Sequence, residues 1–220
     1  MNKRIIIPVF FISFSVVVHS QTRFSIATDL GLQRSFKKGQ RFWGGGHAVV
    51  GQVNFGNKDA VYALVSYYTN GKFSNNVTAT AKSPSISPQQ INYVNNALMR
   101  FKQVSIGWKK YLKGTYNAEE VWNLYGYAGF GLILGRVENT HSVSIDTSDY
   151  QVPVRTGKAN FKRLTLDLGL GWEVPLGADV FFYSEGRAWI PTSDYPSKFL
   201  FVNDNAPFVG MINAGIRILF

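Results

Sequence analysis

The residues able to do acid–base or nucleophilic work are few. Histidine occurs three times, at His19, His47 and His141. His141 lies in "ENTHSVSIDTSDY", beside Ser142 and close to Asp146 and Asp149. A histidine, a hydroxyl and a carboxylate are the parts of a hydrolytic set, in which the imidazole takes the hydroxyl proton and the carboxylate orients the ring. Segments rich in serine and aspartate bring such neighbours together by composition alone, and side chains adjacent in sequence seldom point at one another. His47 opens a candidate strand after "WGGG" and reads as an interfacial residue. There is no paired-histidine metal spacing, no phosphate-cradling loop and no nucleotide fingerprint, so no metal and no cofactor is expected. The chain contains no cysteine, which excludes disulfides and thiolate chemistry.

The other chemistry-bearing residues are charges set within alternating stretches. Asp29, Lys109, Arg163, Asp167, Glu173, Glu185, Arg187 and Arg217 all fall on the polar side of candidate strands. In "RLTLDLGLGWEV", residues 163 to 174, leucines, Trp172 and Val174 alternate with Arg163, Thr165, Asp167, two glycines and Glu173. Residues 23–33 set Phe24, Ile26, Thr28, Leu30 and Leu32 against Ser25, Asp29 and Gln33. Residues 180–190 oppose Val180, Phe182 and Ile190 to Glu185, Arg187 and Trp189. Residues 208–220 put Ile212, Ala214, Ile216, Ile218 and Phe220 opposite Asn213, Gly215 and Arg217. Period two means a strand with two different environments on its faces. Weaker alternation marks 47–55, 60–69, 100–112 and 122–136, and 60–69 and 122–136 carry tyrosine or glycine on both faces and leave the register open.

These are eight strands of about ten residues, the length of a tilted strand across a bilayer. The connections alternate long and short: 34–46, 56–59, 70–99, 113–121, 137–162, 175–179 and 191–207. Such a meander has one trimmed and one elaborated end. The 70–99 connection is rich in Asn, Ser, Thr and Pro and is expected as a partly disordered loop or as an outward extension of the wall. Tryptophan and tyrosine near strand ends suit the girdles at lipid interfaces, with Trp43, Tyr67, Tyr68, Trp108, Tyr111, Trp122, Tyr125, Trp172 and Trp189 as candidates.

Composition agrees with a sheet protein. Apolar residues make up 45%, aromatics 15%, and there are 21 glycines without long apolar runs. The exception is the N-terminus, where Lys3 and Arg4 precede an apolar run from Ile5 to Val18 and then "VHSQ". That pattern predicts a cleavable signal peptide over 1–20, leaving 21–220 as one domain. Loss of Lys3 and Arg4 lowers the formal charge from +10 to +8. A basic exported chain points to anionic lipid rather than nucleic acid.

The final strand, ending on Phe220 after alternating apolar residues, resembles the terminal strand of outer-membrane β-barrel proteins. The whole pattern is similar to the small OmpA-, OmpX- and OmpW-like barrels. The resemblance implies an all-β, eight-stranded antiparallel up-and-down transmembrane barrel in the cell outer membrane. It also implies that Phe220, Ile218 and Ile216 are read by the barrel assembly machinery. The inward charges are four basic and four acidic; in a lumen just wide enough for side chains they must pair. Glu185 and Arg187 are expected to find Arg217 and Glu173 as partners. Lys37, Lys38, Arg41, Lys158 and Lys162 are candidate contacts to lipopolysaccharide phosphates, with Lys72, Lys82 and Arg155 nearby. The expected function is non-enzymatic, with long outer loops contacting glycolipid, an extracellular ligand or a larger envelope complex. The alternatives are a narrow pore for small or apolar solutes, with an apolar lateral opening near Trp189 and the 191–207 connection, and a lipid-modifying enzyme built on the 137–162 connection, as in barrel lipases acting on lipid A.

Overall fold

The computed structural model describes residues 23–118, 121–192, 198–200 and 206–220; the candidate signal peptide lies outside them. The strands are β1 (Arg23–Ser35), β2 (Trp43–Asn54), β3 (Asp59–Ala81), β4 (Gln90–Lys113), β5 (Asn123–His141), a two-residue β6 (Tyr150–Gln151), β7 (Gly157–Gly177), β8 (Val180–Pro191) and β9 (Val209–Leu219). Each strand pairs antiparallel with the next, leaving out β6, and β9 returns to β1, so eight strands close into a ring. β6 lies outside the ring and pairs with the far end of β3 through Thr80 and Ala81.

The period-two pattern folds this way because each face meets a different medium. Outward side chains are large, apolar and uncovered: Leu30 is 75% exposed, Ile212 71% and Phe130 70%. Inward side chains are polar or aromatic and buried. That is the reverse of a soluble barrel and matches a wall standing in hydrocarbon. One apolar row, Val49, Val65, Val104, Leu132 and Leu164, runs directly from strand to strand across β2, β3, β4, β5 and β7.

Following such a row around the ring gives the stagger. Val53 on β2 faces Val61, then Trp108, Ala128, Leu168, Ala188, Gly210, Arg34 and finally Trp43, again on β2 but ten residues away. The rows therefore climb from the short-turn end towards the long-loop end. This stagger is the shear that closure demands of tilted strands.

The short-turn end is tight, with connections 55–58, 114–122 and 178–179. The long-loop end differs from the sequence expectation. The 70–99 segment is not a loop: β3 runs on to Ala81 and β4 begins at Gln90, so the hairpin continues about 35 Å past Gly71. A bulge between Tyr68 and Gly71, with Asn70 at φ 62°, re-aims the strand where it leaves the wall. β5 and β7 likewise extend to His141 and back to Gly157, shortening the expected 137–162 connection. Val77, Ala79, Tyr93 and Tyr150 form a small core of their own in this extension.

The open register resolves with Tyr62, Leu64, Ser66 and Tyr68 inward on β3, and Tyr125, Tyr127, Gly129, Gly131 and Ile133 inward on β5. Tyr127 sits opposite Gly169 and Tyr125 opposite Gly171, and a Cβ at either glycine would enter the facing ring. The glycine content of the polar face is thus room for tyrosines. Four girdle candidates are corrected: Tyr68, Tyr111, Tyr125 and Trp189 are buried in the lumen, whereas Trp43, Trp108, Trp122 and Trp172 are exposed on the outside.

The closure register is testable in this cysteine-free chain. Ser25 and Leu219 lie opposite one another and point inward, with Cβ atoms expected about 5 Å apart. The S25C/L219C variant is expected to cross-link under mild oxidation while keeping heat-modifiable migration on gels. Absence of a cross-link in the folded protein shows that β9 pairs with β1 in another register.

Candidate functional site

The lumen holds all eight charged residues singled out from the sequence: Asp29, Lys109, Arg163, Asp167, Glu173, Glu185, Arg187 and Arg217 are each buried. Two ion-pair centres organise them. In the first, the Arg217 guanidinium grips the Glu173 carboxylate with two bonds, Nε to Oε2 at 3.1 Å and Nη2 to Oε1 at 2.7 Å. Lys109 Nζ approaches Glu173 Oε2 at 3.7 Å, and Asn123 Nδ2 donates to Oε1 at 3.1 Å. Arg217 also donates to the Tyr116 carbonyl and stacks 4.0 Å from the Phe181 ring centre. Lys109 lies 3.6 Å from the Tyr125 ring centre. One carboxylate thus answers two cations, and aromatic faces stabilise the remaining positive charge.

In the second centre, Arg187 pairs with Glu185 on its own strand. Arg187 Nε donates to Tyr127 Oη at 2.6 Å, and Tyr125 Oη donates to Glu185 Oε2 at 3.0 Å. The pairing expected from sequence is corrected here. Arg217 crosses β8 to reach Glu173 on β7, and Glu185 turns to Arg187 two positions along β8. Two carboxylates beyond these centres take hydroxyl donors. Tyr183 Oη donates to Asp29 at 2.9 Å; Ser105 Oγ and Tyr62 Oη donate to Asp167 at 2.8 and 3.3 Å. Arg163 donates to the Lys162 carbonyl at 3.5 Å. The tyrosine donors were missed in the sequence; the facing Tyr–Gly pairs of β5 and β7 were the signal that could have found them.

Between the centres remains a cavity of about 30 Å³, lined by Tyr62, Lys109, Tyr125, Tyr127, Tyr183, Glu185 and Arg187. That is space for about one water. Towards the long-loop end the lumen is filled by Phe42, Tyr68, Met99, Phe101, Phe161 and Trp189. Tyr68 Oη donates to Asn213 Oδ1 at 2.8 Å within this layer. Trp189, beside which a lateral opening was expected, is itself fully buried; most of the 191–207 connection lies outside the described residues.

The hydrolytic candidates are not brought together. His141 Nε2 lies 3.0 Å from the Val154 carbonyl and its ring 4.5 Å from Tyr93. Ser142 Oγ accepts the Val94 amide. Asp146 caps the Ser148 amide and hydroxyl, which holds its carboxyl below the usual range. Burial pushes the His141 imidazole below its ordinary value, against the opposing Val154 bond, and so favours the neutral ring. His47 is exposed and meets Tyr67 edge-on.

The five candidate glycolipid contacts fall in two places. Lys37, Lys38 and Arg41 occupy the β1–β2 connection; Gln40 donates its amide to the Lys37 carbonyl. Lys158 and Lys162 stand on the outer face of β7, and Lys158 pairs with Glu138 at 3.1 Å. Lys162 belongs to a row that crosses the wall strand by strand: His47, Tyr67, Lys102, Leu134, Lys162. The next position outward adds Arg100 directly opposite Arg136.

No protein-family model matches the chain, and no curated protein does. Solved structures do. A major outer membrane protein of Thermus thermophilus superposes with a TM-score of 0.57 at 14% identity, covering 91% of this chain and 100% of that one. Neisserial surface protein A superposes at 0.53 with 12% identity, covering 90% and 97%. Ail, the attachment invasion locus protein of Yersinia pestis, in complex with the heparin analogue sucrose octasulfate, superposes at 0.50 with 13% identity, covering 91% and 100%. The chain has the fold of the small outer-membrane β-barrels. In such a barrel the short turns face the periplasm, and the β3–β4 hairpin projects from the outer surface.

The first ion-pair centre sets a stability prediction. Glu173→Gln strands Arg217 and Lys109 in a buried site with no carboxylate. It is expected to lower unfolding stability by about 3–5 kcal/mol, read by urea denaturation in detergent micelles. The double variant E173Q/R217M is expected to recover part of that loss. An unchanged midpoint for E173Q shows that solvent reaches these cations.

Proposed function

We propose that this outer-membrane barrel is non-enzymatic, is closed to solutes, and acts through its outward surface. Its outer rim and projecting hairpin would contact anionic glycolipid, an extracellular ligand or a larger envelope complex. The observation that carries this reading is the filled lumen, where two ion-pair centres and the tyrosine and serine hydroxyls on Asp29 and Asp167 occupy the space between the strands. The basic residues on the outer wall, Lys102 and Lys162 beside Leu134 and Arg100 opposite Arg136, support an anionic partner. The Ail complex adds support, because a barrel of this fold there holds a sulfated ligand.

Planar-bilayer recording tests the closed lumen. The purified barrel is expected to give no steady single-channel conductance in salt. Reproducible conductance, abolished by enlarging a side chain that lines the lumenal cavity, such as A27L, in a variant that keeps heat-modifiable migration, would instead establish the narrow pore.

The proposal extends to biogenesis. Phe220, Ile218 and Ile216 face outward at the periplasmic end, and the Phe220 ring stacks on Phe24 at 6.3 Å. An aromatic ring that is 66% exposed adds little folding stability, at most about 2 kcal/mol. If these residues are read by the assembly machinery, F220A is expected to reduce folded barrel in outer membranes several-fold, while refolding into micelles stays near wild type. Equal losses in both settings would make Phe220 a stability residue only.

A further inference from the structure

On the outer wall, just beyond the apolar row of Val65, Val104, Leu132 and Leu164, lies a cleft of about 440 Å³. Its walls are Tyr67, Arg100, Lys102, Arg136, Asn160 and Lys162, and its floor is Leu134 and Gly135. Lys102 and Lys162 flank Leu134 from the two neighbouring strands. Their backbones are therefore two strand spacings apart, about 10 Å, and their side chains can converge on one group above Leu134. Arg100 and Arg136 face each other across the β4–β5 ladder.

Among the described residues, none of these four cations has a carboxylate within ion-pair distance. The one acid on this part of the wall, Glu138, is taken by Lys158. Like charges placed directly opposite on a sheet are destabilising, and this wall carries such a pair beside two further lysines. Inside the barrel, by contrast, Lys109, Arg187 and Arg217 each have a carboxylate. An unbalanced set at the edge of the apolar band therefore suits an external anion held at that depth.

The geometry points to a binding site in this cleft for the phosphate groups of an outer-leaflet glycolipid. Lys102 and Lys162 would hold the phosphate from both sides, with Arg100 and Arg136 donating in the planar, paired manner of guanidinium. The acyl chains would lie down the apolar row beneath, and the Tyr67 ring would sit at the headgroup level. The site rests on the glycolipid reading above but assigns it to the barrel wall rather than to Lys37, Lys38 and Arg41.

The test uses the folded barrel in zwitterionic micelles, titrated with bisphosphorylated lipid A and with the same lipid stripped of phosphate. Heat-modifiable migration verifies the fold of each variant. K102Q/K162Q is expected to weaken binding of the phosphorylated lipid about tenfold or more and to abolish the preference for it over the stripped form. K37Q/K38Q/R41Q is expected to bind as wild type. Without lipid, R136Q is expected to unfold no more easily than wild type, because it removes a like-charge pair; with lipid A, wild type should gain more thermal stability than R136Q does. If the loop variant loses binding and K102Q/K162Q does not, the wall site is overturned while the glycolipid reading stands. If wild type fails to distinguish the two lipids, both fall. If a heparin fragment, and not lipid A, is lost in K102Q/K162Q, the occupant comes from outside the membrane and the proposal is overturned.

Discussion

Hydrocarbon cannot solvate a backbone amide, so a sheet that enters a bilayer must leave no open edge there. Everything else in this protein follows from how that is met. Pairing β9 with β1 removes the last edge; the Phe220 amide, for instance, donates to the Phe24 carbonyl at 2.8 Å. Closing eight strands with a ten-residue stagger then fixes a narrow lumen. A narrow lumen must be filled, and it must be filled by the face of each strand that does not meet lipid. That face is polar, so the filling is a problem of charge and hydrogen bonding rather than of apolar packing alone.

The solution is to gather five of the eight charges into two ion-pair centres and to meet Asp29 and Asp167 with hydroxyl donors. Glu173 serves Arg217 and Lys109 at once, and rings of Phe181 and Tyr125 cover the cations. Glu185 serves Arg187, with Tyr125 and Tyr127 supplying the further bonds. Tyrosine is suited to this role because one end packs as a hydrophobe while the other donates a proton. Such rings need space, and Gly169 and Gly171 provide it on the facing strand.

The parts of this design that alternate between two contrasting media were legible in the sequence. β1, β7, β8 and β9 could be placed with the correct face inward because leucine or isoleucine on one side contrasts with Asp, Glu or Arg on the other. β3 and β5 could not, since tyrosine serves equally inside the lumen and at an interface. Beyond Gly71 the contrast fades: one face of "SNNVTATA" and "NYVNNA" covers a small core, but Ser, Thr and Asn stand on both faces, so the pattern of a strand reads like that of a loop. The ion-pair partners were misread for a simpler reason. Neighbouring strands were taken as the source of partners, whereas residues two apart on one strand share a face and lie about 7 Å apart. That is near enough for Arg187 to fold onto Glu185.

The same balance locates the protein's charge. Its formal net charge is +10, while the eight lumenal residues comprise four bases and four acids. The interior therefore sums to zero, and the whole excess belongs to the rest of the chain. It cannot serve the fold by pairing, because thirteen acidic residues face twenty-three basic ones and four of those acids are already committed inside. Exposed cations far from a counter-charge gain nothing for a soluble domain except repulsion, weakened by salt. Beside an anionic leaflet they gain about 1 kcal/mol each. Unpaired cations on the outside thus add only repulsion to the isolated fold, and an anionic surface is the setting that turns that cost into a gain.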